Sequence, residues 1–143
     1  MTITRIDDHV RISCIHDESA IIHRALAHRE TRARKEVRAY VANAGKGTIK
    51  AGFFRSTVLR WERLRELVEA MRSDQIRAAW GINSTSLSVK DAVGISDALR
   101  SLLDFDKRDL LDPKLTLAES SDAALIRHEI RKAVGLTSKD EDA

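Results

Sequence analysis

From Asp17 to Asn43 the apolar residues keep a helical period, and a stripe this long dictates most of what the chain can become. Ile22, Leu26, Ala33, Val37, Tyr40 and Val41 fall on one face, with Asp17 or Ser19 as the N-cap and Gly45 as the stop. Such a face needs other elements to cover it. The opposite face carries Arg24, Arg32, Arg34, Lys35 and Arg38 and belongs in water. Six glycines and one proline in 143 residues leave few turns, which disfavours an all-β sandwich or barrel. The expected class is therefore mainly α, a multi-helix fold of about five or six helices in a single domain over residues 1–137. A disordered acidic tail is expected over 138–143. A chain of this length can bury roughly two thirds of its unfolded surface.

The N-terminus has a different period. Val10, Ile12 and Cys14 alternate with Arg11 and Ser13, and Ile3 to Ile6 form a second short β-branched run across Asp7-Asp8-His9, so residues 1–16 read as a hairpin or an extended arm. After the long helix, Gly45 to Arg55 reads as a glycine-containing loop. Val58, Trp61, Leu64, Leu67, Val68 and Met71 mark a second helix from Ser56 or Thr57. Ser73 and Asp74 cap a short third helix, Gln75 to Trp80. Leu87 to Val93 and Ser96 to Phe105 read as two helices divided at Gly94. Asp112-Pro113 marks a break, and a last helix runs from about Ser121 to Val134 with Gly135 as its stop.

The formal charge of +3 hides a segregation. Residues 24–60 hold 10 basic and 2 acidic side chains, against 2 and 4 in residues 1–23, 6 and 6 in 61–103, and 7 and 10 in 104–143. Arg24, Arg29, Arg32, Arg34, Lys35, Arg38, Lys46, Lys50, Arg55 and Arg60 thus combine a helix face with a loop, a pattern suited to a phosphate backbone. The competing expectation is a solvated arginine face that pairs with Glu30, Glu36 or the acidic C-terminal third.

Residues 73–93 offer a second feature. Ile76, Trp80, Gly81, Ile82 and Leu87 stand where two crossing helices need apolar anchors and a small turn residue. The run Gly81-Ile82-Asn83-Ser84-Thr85-Ser86-Leu87-Ser88 resembles the turn and start of the recognition helix in helix-turn-helix regulators. That resemblance implies base contacts from Asn83, Ser84, Thr85, Ser86 and Lys90. Arg77 stands where the motif has a small residue, and Lys90 where it has a late apolar one.

Other chemistry finds little support. Gly45-Lys46-Gly47-Thr48 lacks the spacing of a phosphate-binding loop and follows a helix instead of a strand. His23 and His28, five apart, fall on different faces of a helix, and His9, His16 and His128 set no ligand spacing, so no metal or other cofactor is expected. Asp104, Asp106, Asp109 and Asp112 miss the calcium-loop pattern, with Arg108 and Asp109 where oxygen donor and glycine belong. Cys14 beside His16 reads as a buried thiol, and a lone cysteine excludes an internal disulfide.

The expected function is nucleic-acid binding, either by a small DNA-binding regulator or by a subunit that grips the backbone of DNA or RNA without reading sequence. The alternative is a helical module that binds a protein partner or a second copy of itself. An enzyme is not expected, nor is a membrane partner. The opening residues lack the apolar core of a secretory signal, and the expected location is cytoplasmic.

Overall fold

Two β-branched runs separated by a pair of aspartates open the chain as a hairpin. The computed structural model describes residues 1–44, 49–77, 82–108 and 115–136. β1 (Thr2–Ile6) and β2 (His9–Ile15) pair antiparallel with Ile6 opposite His9, so Asp7-Asp8 forms the turn. Asp7 adopts φ 54, a left-handed conformation that aspartate tolerates better than most residues. An isolated two-stranded hairpin is marginal in water. Here the far edge of β2 pairs with β3 (Ile82–Ser88), and the sheet order is β1-β2-β3.

β3 overturns the helix-turn-helix expectation, because the residues expected to turn and begin a recognition helix are a strand. The cause lies in the pairing. Leu87 stands opposite Val10 and Thr85 opposite Ile12, which puts Leu87 into the core with Val10, Ile12 and Cys14. Leu87 is buried between exposed Ser86 and Ser88, a period of two that the polar composition conceals.

α1 (His16–Ala44) starts just before the expected caps. Glu18 Oε1 accepts a hydrogen bond from Ile15 N at 2.9 Å, while Ser19 is buried and its hydroxyl donates to the His16 carbonyl. α2 (Ile49–Arg77) replaces most of the expected loop over 45–55 and merges two expected helices. Ser73 does not interrupt it, since its hydroxyl donates to the Glu69 carbonyl one turn back at 3.1 Å. The expected stop at Gly45 and the end of the short helix at Trp80 lie outside the described residues.

α3 (Val89–Arg108) likewise merges two expected helices across Gly94. Its start is capped by Ser88, whose Oγ accepts from Asp91 N at 3.1 Å, and Val89 N donates to the Asp8 carbonyl in the hairpin turn. α4 (Leu117–Ala133) begins four residues before Ser121. Thr116 and Glu119 form a full capping box there, and Gly135 with φ 83 follows the last turn as expected. The protein is thus mostly helical, with four helices among the described residues instead of five or six. The expected tail over 138–143 and the Asp112-Pro113 break fall outside the described residues.

α1 and α2 lie antiparallel: His16 meets Arg72, Glu30 meets Arg65 and Arg34 meets Glu62. Leu26, Leu64, Leu99, Ile126 and Ile130 bring all four helices into one core with the inner face of the sheet. No described helix is long and apolar enough to cross a membrane.

Candidate nucleic-acid interface

The core does not extend along the whole helical hairpin. On α1 the last buried position among the described residues is Ala33. From Arg34 to Ala42, Val37, Tyr40 and Val41 are half-buried and nearly all the rest is exposed. On α2 the first described buried residue is Val58. Among the described residues the core thus thins out beyond Ala33 and before Val58, and this is also where the cations concentrate. Residues 34–60 contain seven lysines and arginines against one acid, Glu36.

The structure separates the predicted phosphate contacts into two groups. Arg24 donates to Glu119 at the start of α4 at 2.8 Å, and Arg32 donates to the Ser101 hydroxyl of α3 at 2.8 Å. These two hold helices together. Arg34 lies half-exposed between Glu30 at 2.9 Å and Glu62 at 3.1 Å. Glu30 also accepts from Arg65. Burial works to raise the Glu30 carboxyl, but the hydrogen bonds from Arg65 and Arg34 outweigh it and hold it below the usual glutamate range. Lys35, Arg38 and Arg55, by contrast, are exposed and make no hydrogen bond or ion pair with other described residues. Lys46 lies outside the described residues, and Lys50 sits in the first turn of α2.

Leu59 marks the centre of this surface. It is 63% exposed in the middle of a helix whose other outward positions are mainly charged. On one side is a groove of about 460 Å³ between α1 and α2, lined by Val37, Arg38, Arg55 and Val58 and closed by the Arg34–Glu62 pair. On the other is a groove of about 520 Å³ lined by Ser56, Thr57, Arg60, Arg63, Lys90 and Asp91. Arg63 pairs with Asp91 at 2.8 Å and remains more than half exposed.

Arg60 is fixed by its surroundings. Its Nη2 donates to the Lys90 carbonyl at 3.2 Å, and its guanidinium lies 5.3 Å from the centre of the Trp61 ring. Arg29 lies over the same ring at 5.3 Å, so the buried indole is flanked by two cations.

Of the residues expected to read bases, only Lys90 joins this surface. Asn83, Ser84, Thr85 and Ser86 belong to β3, where Ser84 Oγ accepts from Arg11 at 3.3 Å. Leu59 and Arg63 were not anticipated as interface residues. A signal existed: Leu59 breaks the apolar spacing set by Val58, Trp61 and Leu64 and so points out of the core.

Among the described residues no three His, Cys, Asp or Glu side chains gather to hold a metal ion. Burial, with a smaller contribution from Glu18, pushes the Cys14 thiol up to about 11, so it is protonated at neutral pH and unsuited to nucleophilic attack. His28 packs on Phe105 with ring centres 4.8 Å apart. Burial and then the neighbouring Arg32, Arg29 and Lys35 lower its pKa, which keeps the ring neutral. Comparison with protein-family models, curated proteins and solved structures finds no match to this chain.

Proposed function

We propose that this chain binds nucleic acid by gripping its phosphate backbone, without reading base sequence, through the far end of the α1–α2 hairpin. One observation carries the reading. Lys35, Arg38 and Arg55 stand exposed without partners among the described residues, on a segment holding seven cations and one acid, while nearby Arg24 and Arg32 are engaged by other helices. Each phosphate neutralised would release counterions, so binding would be strongly salt-dependent. The test is fluorescence anisotropy with labelled random-sequence DNA and RNA at about 50 mM salt. Binding of at least one is expected. Failure to bind either would reject the proposal.

A second reading, a helical protein-interaction module, is supported by a different surface. α4 presents Leu117, 91% exposed, and Leu125, 51% exposed, on its outer side. If that face pairs two copies, light scattering will find a dimer that Leu125→Asp dissociates. A monomer would reject self-association.

A further inference from the structure

We infer that the interface takes single-stranded nucleic acid, with a base resting on Leu59 while phosphates lie on the cations of the flanking grooves. The inference rests on the phosphate-gripping reading and adds the class of strand.

A duplex offers a protein its sugar-phosphate surface and groove edges, and keeps the faces of its bases stacked inside. Arginines and lysines alone would suffice for it. This surface holds something else: an aliphatic side chain, 63% exposed, at the crest between two grooves, with Val37 and Val58 at the base of one of them. A single strand can turn an unstacked base onto such a crest, because its flat faces are free and apolar.

The cations are arranged to suit that placement. Arg38 and Arg55 line one side of Leu59, and Arg60 and Lys90 line the other beside the Arg63–Asp91 pair. Phosphates on both sides of a base seated on Leu59 would each meet positive charge. The acids in the two grooves, Glu62 and Asp91, are already paired with Arg34 and Arg63. Guanidinium planes at the rims supply further surfaces on which bases stack. Cations on both sides of one apolar crest match the regular alternation of phosphate and base along a strand, and that repeat is what favours nucleic acid over an acidic protein segment.

Three probes separate strand, duplex and charge: an oligothymidine, a duplex of matched charge, and inorganic polyphosphate, each titrated against the full chain at one salt concentration. The oligothymidine should bind most tightly. Leu59→Ser removes the apolar crest without changing charge, and the exposure of Leu59 leaves the core intact, which circular dichroism can verify. This variant should lose about fivefold in affinity for oligothymidine, as expected for about 1 kcal/mol of apolar contact. Its affinity for polyphosphate should be unchanged. Equal affinity for all three probes, or a Leu59→Ser effect that is absent or equal on all three, overturns the inference while leaving phosphate gripping in place. If no probe binds, both readings fall together.

Discussion

Arg24 and Glu119 meet across 95 residues of sequence, with the Arg24 guanidinium donating to Glu119 Oε2 at 2.8 Å. The other carboxylate oxygen accepts from Thr116 N at 3.0 Å and completes the capping box of α4. One side chain therefore caps a helix and ties it to α1. Arg24, one of the cations the sequence marks as a phosphate contact, thus also holds two helices together.

That assignment separates stability from binding. Glu119→Ala should lower the free energy of unfolding by about 1 kcal/mol through the lost cap. Arg24→Ala should cost no more than about 0.5 kcal/mol, because the pair is well exposed. Urea unfolding measures both. Neither variant should change nucleic-acid affinity by more than about twofold.

Gly94, inside α3, packs against Arg60 of α2. A Cβ built there would lie 2.8 Å from Arg60 Nη2 and 3.4 Å from Leu64 Cδ1. Gly94→Ala gains about 1 kcal/mol of helix propensity and displaces only the tip of a flexible side chain, so it should be near neutral. Gly94→Val carries its branches into the same contact and should destabilise by about 1–3 kcal/mol. Thermal unfolding of the two variants checks the contrast.

Acid should weaken the fold through two carboxylates. Glu30 and Glu119 are both held below the ordinary value of 4.5. In Glu30 burial opposes the shift and the arginine hydrogen bonds prevail. In Glu119 the hydrogen bond from the Thr116 backbone leads. A lowered folded-state pKa contributes stability above the unfolded value, and that contribution is lost as pH falls through the folded one. The urea midpoint should therefore drop between neutral pH and about pH 3, and less steeply in Glu30→Gln, which is already weaker at neutral pH.

The sequence made the long helices legible and their boundaries less so. The stripe from Ile22 to Val41 runs along the inner face of α1, and the alternation at Val10, Ile12 and Cys14 is the central strand. Expected breaks at Ser73 and Gly94 did not occur. The hydroxyl of Ser73 is satisfied within its own helix, and Gly94 continues its helix with the Arg60 guanidinium, 34 residues away, packed over its Cα. Neither cause is visible locally. β3 is not legible locally, because its serines and threonine suit a polar helix start and its strand character comes from pairing with β2, which is distant in sequence. Charge segregation marks the whole basic stretch, in which Lys35, Arg38 and Arg55 are exposed. It could not show that Arg24 and Arg32 are held by α4 and α3.

The salt dependence of oligonucleotide binding, compared between the wild type and Lys35→Ala/Arg38→Ala, tests the proposed phosphate grip most directly. The logarithm of affinity should fall linearly with the logarithm of salt, and removing two phosphate contacts should make the slope shallower by about 1.4 for a single strand. Arg24→Ala/Arg32→Ala should leave the slope unchanged. Equal slopes for the wild type and Lys35→Ala/Arg38→Ala, or no binding by the wild type at about 50 mM salt, would contradict a phosphate grip at the end of the α1–α2 hairpin.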